Sequence, residues 1–468
     1  MEEVMGMKKL ESFKRLILLG MSAVCLGVQI LIYTYFWQNF YFYDVSKYLP
    51  FWEKGHILII GIYGVLQLWL SGMYGGMRVG YKKNSEVVFS QVFATLAVNI
   101  LTYFQLSLMC MELYYVPVYM AMVVSQIVWV LIWVNICGYI YRNVFPPRRL
   151  LFVHGDRPVD SILAKFTSRS DKFEISKCMH ICSGVDAINA EALERYDAVV
   201  LWDIEDRERS RILKFCYGHS IRTYVMPKIS DVIMKASEEL HIFDSPMFLT
   251  REYSLTIEQR FLKRCIDLVC ALLLTIISCP FMLLTAVAVK LYDGGPVLYK
   301  QTRCTVGGKQ FQILKFRSMR VDAEKDGVAR LSSKGDNRIT PVGKFIRKVR
   351  LDELPQLINI LRGDMSFIGP RPERPEIIGK YMEIMPEFAF RTKVKAGLAG
   401  YAQVYGKYNT TPYDKLKLDL AYIENYSVWL DIKLMLLTLK VLFWPDSTEG
   451  VENGQITAVQ EEKDHVGM

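Results

Sequence analysis

Apolar residues dominate four long runs near the start of the chain, at 15–37, 56–74, 87–109 and 117–141. Each is about long enough to cross a hydrocarbon core, which takes roughly 20 helical residues. The runs carry almost no charge, so the pattern predicts four transmembrane helices and not buried helices of a soluble fold. A cleaved leader does not fit the first run, which is too long and lacks a small-residue cleavage site. From 149 the pattern changes. Short β-branched runs, RLLFVHG (149–155), DAVVLWD (197–203) and IRTYVMP (221–227), alternate with helical stretches such as VDSILAKFTSR and RSRILKFCYG. That alternation predicts a parallel sheet covered by helices, a Rossmann-like domain. Its first strand ends in HGDRP and not in a G-x-G-x-x-G turn, so ordinary dinucleotide binding is not expected and a spacer or regulatory role is.

A fifth apolar run, 266–289, is also long enough to span. Pro280 sits in its middle and removes a backbone hydrogen bond there. Both flanks are basic, with Lys263 and Arg264 before and Lys290, Lys300 and Arg303 after. A helix bent at its centre enters one leaflet and returns. Ser278 is placed to satisfy the carbonyls freed near Ile276 and Ile277. This predicts a re-entrant membrane helix over about 264–290. Further on, Leu351, Leu354, Leu357, Ile358 and Leu361 recur at helical spacing and Gly363 stops them. Pro355 fits only if that helix begins within a few residues before it, because first-turn amides have no intrahelical partner to lose.

Charge then sets orientation. Lys8, Lys9, Lys14 and Arg15 precede the first span, Arg78, Lys82 and Lys83 separate the second and third, and Arg142, Arg148 and Arg149 follow the fourth. Loops on the other side hold only Lys47 and Lys54. The positive-inside rule puts both ends of the four-helix unit in the cytoplasm. Of the 468 residues 51% are hydrophobic and the net charge is +9. With no nucleic-acid motif visible, that positive balance points to anionic lipid or a phosphorylated substrate. The ten cysteines contain no CxxC pair and read as reduced thiols.

The chemistry gathers in RLDELPQLINILRGDMSFIGPRPE, residues 350–373. The proline argument places Asp352 and Glu353 at the start of a helix, where negative charge is favoured. Two adjacent carboxylates repel, so cations must offset them. Arg347, Lys348 and Arg350 lie just upstream, and Mg²⁺ is the other obvious partner, since it takes one or two carboxylates plus substrate phosphates. Arg371, held between two prolines, offers a planar fork that suits a phosphate. A capped helix explains the carboxylates but not GPRP. Upstream, KFRSM adds Lys315 and Arg317, a weak signal alone.

KRCIDL, the proline-bearing apolar helix, GGPVLYKQTRCTVGGKQFQILKFRSMRVDAE, VGKFIRKVRLDELPQLINILRGDMSFIGPRPE and VKAGLAGYAQVYGKYN resemble the bacterial sugar transferases, the monotopic phosphoglycosyl transferases. Four spans and a Rossmann-like domain ahead of them resemble the large undecaprenyl-phosphate hexose-1-phosphate transferases of capsule and exopolysaccharide synthesis. The resemblance implies a two-step reaction. Asp352 attacks the β-phosphorus of a UDP-hexose and releases UMP, and undecaprenyl phosphate then takes the phosphosugar. Glu353 would support Asp352 and Mg²⁺. Arg347 and Arg371, with Lys315 and Arg317 on less distinctive positions, would contact phosphates. Pro280 matches the family's kink proline, with Cys279 where serine is usual. AGLAG (396–400) stands where the family often has Pro-Gly-x-Thr-Gly, which leaves that loop's polar contacts open.

The expected organisation is a transmembrane α-helical unit (1–148), an α/β Rossmann-like cytoplasmic domain (149–250) and an α+β catalytic domain with the re-entrant helix (251–445). A polar tail (446–468) follows. The expected setting is the bacterial inner membrane, with the catalytic domain on the cytoplasmic face, touching lipid and paired as a homodimer. Residues 427–444 read equally as an interfacial amphipathic helix or a core helix. Two rival functions are a lipid-acceptor glycosyltransferase releasing UDP and a non-enzymatic membrane sensor or scaffold.

Overall fold

A computed structural model describes residues 2–48, 54–194, 196–242, 244–250, 255–320, 338–406 and 410–443; the predicted polar tail, 446–468, lies outside them. The chain divides into two compact units, Met1–Met226 and Pro227–Met468.

The first unit opens with α1 (Glu2–Phe36), which continues through a π-type turn (Trp37–Tyr41) into the short α2 (Phe42–Ser46). Then come α3 (Gly55–Tyr74), α4 (Asn84–Met109) and α5 (Val116–Val144). The four long helices close on each other, α1 beside α3 and α5, and α4 beside the same two. All four are long and apolar enough to cross a membrane. Leucine, isoleucine and valine crowd their exposed faces. The seam between them is polar, which the hydrophobic pattern did not announce. Gln67 Nε2 donates to Thr95 Oγ1 (3.1 Å), and Ser71 Oγ to Gln91 Oε1 (2.9 Å). Asn99 Nδ2 donates to Gln126 Oε1 (2.7 Å), whose Nε2 donates to Tyr63 Oη (2.8 Å). Among the described residues no charged side chain is buried in this bundle. Interhelical amide and hydroxyl pairs of this kind fix which helix faces meet where lipid gives no hydrophobic drive for association.

A four-stranded sheet follows: β1 (Arg148–His154), α6 (Asp160–Thr167), β2 (Phe173–His180), α7 (Val185–Ala192), β3 (Ala198–Trp202), α8 (Asp206–Gly218) and β4 (Arg222–Val225). The strand order is β2-β1-β3-β4 and every pairing is parallel. Leu150, Phe152, Ala198 and Val200 face α6, whereas Leu151, Val153, Val199 and Leu201 pack with buried residues of α7 and α8. Burial on both faces is why β1 and β3 read as unbroken apolar runs. The strand at 173–180 was missed because only edge burial is asked of FEISKCMH, which alternates with polar residues.

The second unit starts with α9 (Ile229–Lys235) and a hairpin, β5 (Glu238–Ile242) and β6 (Ser245–Leu249). Next are α10 (Ile257–Asp293), the antiparallel pair β7 (Leu298–Cys304) and β8 (Gln310–Phe316), α11 (Pro341–Lys348), a 3₁₀ turn (Leu351–Glu353), α12 (Gln356–Arg362) and β9 (Ser366–Ile368). α13 (Pro375–Ile384), a 3₁₀ stretch (Pro386–Lys393), β10 (Gly397–Ala399), α14 (Tyr401–Tyr405), α15 (Pro412–Glu424) and α16 (Val428–Leu442) complete it. The core joins Ala271 of α10, Ile313 of β8, Leu357 and Ile360 of α12, and Leu416, Leu420 and Leu434 of α15 and α16.

α10 holds Pro280 inside a single 37-residue element and is the fifth helix apolar and long enough to cross a membrane. Lys263, Asp267, Ala271, Ser278, Thr285 and Val289 are buried along it. Its N-terminal cations are not free flanks. Lys263 Nζ pairs with Asp431 Oδ2 (2.6 Å) and donates to Ile368 O (2.9 Å) and Tyr422 Oη (3.1 Å). Arg264 donates to Ile360 O and Leu361 O (2.6 and 2.7 Å). Asp267 Oδ1 accepts from Ser366 Oγ and Phe367 N (2.9 and 3.0 Å). Beyond Pro280, Val289 packs with Phe316 and Ile346. The polar residues of KRCIDL are therefore internal struts. Ser278 Oγ turns to Met282 Sδ (3.6 Å) and not to the carbonyls before Pro280.

Candidate active site

Three local features aim the carboxylates. Thr340 caps α11, with Pro341 at its first position. Two residues past the end of α11, Arg350 takes a left-handed backbone (φ 59°), a conformation that costs a non-glycine residue about 1–2 kcal/mol. That reversal starts the 3₁₀ turn carrying Asp352 and Glu353, and Pro355 then leads into α12 as expected from sequence. α12 runs seven residues and ends at Gly363, whose φ of 90° suits glycine. Asn359, fully buried, ties it to β8: its Nδ2 donates to Gln312 O (2.8 Å) and its Oδ1 accepts from Leu314 N (3.0 Å). β8 carries Lys315, so this one amide holds the carboxylate turn and its cation in register.

The two carboxylates live in opposite environments. Glu353 Oε1 meets Lys315 Nζ at 2.9 Å and Arg371 Nη2 at 3.4 Å, and its Oε2 lies 3.9 Å from Arg350 Nη1. Burial pushes the Glu353 carboxyl up, but the charges of Lys315, Arg371 and Arg350 outweigh it and hold it well below the usual range. Asp352 is 9% exposed, and among the described residues its side chain makes no hydrogen bond and no ion pair. Burial, and next the Glu353 charge, push it up to about 6 despite Lys315, Arg347 and Arg350. Neighbouring carboxyls whose ionisations are driven apart by environment mark a division of labour. Glu353 is the fixed counter-ion of a cation cluster. Asp352 is a desolvated carboxylate with its oxygens uncommitted.

The GPRP turn is held from behind. Gly369 N donates to Ala399 O and Gly397 N to Pro370 O, both at 2.9 Å. The backbones cross so closely that a Cβ on Gly397 would lie 2.1 Å from Gly369 N. AGLAG thus supports GPRP through main-chain contacts. Arg391, 6% exposed, pairs with Asp419 (2.8 Å) and donates to Arg371 O (3.2 Å). Arg303 Nη1 donates to Pro372 O (3.1 Å) and faces Glu373 (3.6 Å).

Residues 258–445 match the family model described as bacterial sugar transferase. The chain is 42% identical over 190 residues to the UDP-glucose:undecaprenyl-phosphate glucose-1-phosphate transferase of Caulobacter vibrioides, covering 40% of this chain and 71% of that one. The chain belongs to the bacterial sugar transferase family. Another family member is the UDP-N-acetylgalactosamine-undecaprenyl-phosphate N-acetylgalactosaminephosphotransferase of Aeromonas hydrophila, 37% identical over 255 residues (53% of this chain, 59% of that one). The undecaprenyl-phosphate galactose phosphotransferase of Salmonella typhimurium is 35% identical over 245 residues, with 49% and 50% covered. The chain therefore spans about half to seven tenths of the length of these curated relatives.

Of the site residues read from sequence, Asp352, Glu353, Lys315 and Arg371 form one cluster, and Arg347 bears on it through its charge on Asp352. Arg317 is elsewhere engaged: it is 8% exposed and ion-paired with Asp293 at the end of α10. Pro280 and Ser278 lie within α10. Asn359 lies inside the 350–373 stretch and Arg391 donates to Arg371 O, but neither they nor Asp419 stand out in the sequence, because their partners are distant along the chain. A buried arginine 20 residues past a proline-locked one leaves no local signal.

Proposed function

We propose that this bacterial sugar transferase moves hexose-1-phosphate from a UDP-hexose to undecaprenyl phosphate. An Asp352 carboxylate oxygen bonds to the β-phosphorus, the bond from that phosphorus to the bridging oxygen breaks, and UMP leaves. An oxygen of undecaprenyl phosphate then bonds to the same phosphorus, the bond from that phosphorus to the Asp352 oxygen (an acyl phosphate) breaks, the carboxylate is restored, and undecaprenyl-diphospho-hexose departs. The carrying observation is the buried, uncommitted Asp352 beside a Glu353 already neutralised by three cations. A covalent intermediate splits one difficult transfer into two. Arg371, Lys315 and Arg347 would steady the phosphoryl oxygens, where positioning and charge supply most of the catalysis.

The donor set fits Mg²⁺ in one respect. Two adjacent carboxylates suffice for an ion that also binds substrate phosphates, and among the described residues no larger cluster of metal-ligating side chains exists. Asp352 and Glu353 would hold it, and it would neutralise diphosphate charge. The capsule and exopolysaccharide setting, the inner membrane and the cytoplasmic face belong to the same reading, as do the Rossmann-like assignment of the sheet and the homodimer. Re-entry of α10 is supported by its attachment to one folded unit on both sides of Pro280, from Lys263 to Val289. A helix so attached has little free length with which to carry that unit's two ends to opposite sides of a bilayer.

The test is incubation with a panel of UDP-hexoses and nucleotide analysis. UMP release with a phosphosugar adduct on Asp352 is expected. UDP release would instead indicate a glycosyltransferase, and full function in Asp352→Asn would indicate a sensor or scaffold.

A further inference from the structure

Behind the GPRP turn, positive charge exceeds negative. Arg303, Arg371, Arg391 and Lys415 converge on Glu373 and Asp419. Arg391 is committed to Asp419 and to the Arg371 carbonyl, and Arg303 to Pro372 O and Gln301. Lys415 is not committed. It lies on α15 one helical turn before Asp419, so the two share the face that carries Arg391. Among the described residues its ammonium donates no hydrogen bond and forms no ion pair. Lys417, two residues on, shows what a structural lysine of the same helix does: it pairs with Asp414 (2.7 Å) and donates to Pro227 O (3.3 Å).

A half-buried ammonium with no bonded partner among the described residues needs compensation, because desolvating it is costly. Burial, together with Arg391 and Arg371, holds the Lys415 ammonium below its ordinary range, even though Glu373 and Asp419 oppose the shift. Beside a bonded Arg391 and a bonded Arg303, the Lys415 ammonium is left able to take a further anion.

We infer that Lys415 is a second phosphate-binding cation of this site, extending the anion cradle from Arg371 to the α15 face, with Arg391 and Asp419 as its positioning residues. The inference rests on the phosphoglycosyl-transfer reading for its ligand, a substrate phosphate. Two substrates carry that group, the UDP-hexose donor and the lipid phosphate acceptor.

The experiment uses the full chain in lipid nanodiscs with Lys415→Met, Lys415→Arg and, as a structural control, Lys417→Met. UDP affinity is measured by calorimetry, and adduct formation and discharge to undecaprenyl phosphate by single turnover. A lost charge-assisted contact predicts about tenfold or more weaker UDP binding in Lys415→Met. Lys415→Arg should recover most of it. The melting temperature of Lys415→Met should stay level or rise, whereas that of Lys417→Met falls. Normal UDP affinity with slow discharge would also support the site and assign it to the acceptor. Normal affinity with normal discharge overturns it, as does a loss of binding that only accompanies unfolding. If no UDP-hexose yields UMP, the proposed reaction fails, but a tenfold UDP defect in Lys415→Met would still stand for the site.

Discussion

Replacing Asp352 by asparagine should abolish turnover and yet make the protein more stable at neutral pH. The burial that raises this carboxyl from 3.8 to about 6 is a cost of holding the ionised form in the fold. A raised carboxyl pKa means that the folded state binds its proton more tightly than the unfolded chain. Its stabilising contribution is therefore fully present below about pH 4 and is lost as pH climbs through about 6. A shift of about two units corresponds to about 3 kcal/mol between those limits. Relaxation and water penetration reduce this, so roughly 1–3 kcal/mol is the expected gain of Asp352→Asn at pH 7.5, or several degrees in melting temperature for a unit of this size.

The assay is thermal unfolding of wild type and variant in nanodiscs with a metal chelator, at steps from pH 4.5 to 7.5. The difference between the two proteins, and not either melting point alone, carries the information. It should open as pH rises and shrink to about a third of its full size at the acid end. A difference that stays flat across the range, or an asparagine variant less stable than wild type at pH 7.5, would refute the reasoning that Asp352 is an uncompensated buried charge.

Glu353→Gln should move stability the other way, because it strips Lys315, Arg371 and Arg350 of their common counter-ion; a melting temperature below wild type, measured beside Asp352→Asn, checks this. Lys263→Met leaves Asp431 buried and unpaired, and a loss on the order of 3–5 kcal/mol in denaturant titration is expected. Gly397→Ala sets a methyl against Gly369 N, so the GPRP turn must shift; adduct yield should fall by tenfold or more, with about 1–3 kcal/mol of destabilisation. Arg317→Met, which breaks an ion pair at the end of α10 and not at the carboxylates, should lower stability more than it alters the affinity for UDP, measured by calorimetry.

What the sequence made legible was whatever repeats at short range. Four apolar runs of membrane length became α1, α3, α4 and α5, and the leucine spacing with Pro355 and Gly363 placed the carboxylate turn within a residue or two. β2 escaped because an edge strand with one sheltered side has no apolar run to show. Contacts made across long separations escaped altogether. The sequence distance from Lys263 to Asp431, or from Arg391 to Arg371, hides that each pair is adjacent in space. KFRSM placed two cations two residues apart, and only folding sends Lys315 to Glu353 while Arg317 goes to Asp293.

α10 illustrates how one pattern carries two messages. Its composition is that of a membrane helix, and Leu272, Leu273, Ile276, Ile277 and Leu284 are exposed along it. Its other face is a stripe of polar and small residues bonded into the catalytic unit, down to the carbonyls at the end of α12. Through Arg264, α10 is hydrogen-bonded to the element that follows Asp352. On the proposed reading, in which α10 enters the membrane, the depth of that helix and the placement of the carboxylate would be set by one body. An acceptor whose phosphate stays at the lipid surface demands such coupling, since a carboxylate that moved independently of the membrane helix would meet that phosphate only by chance.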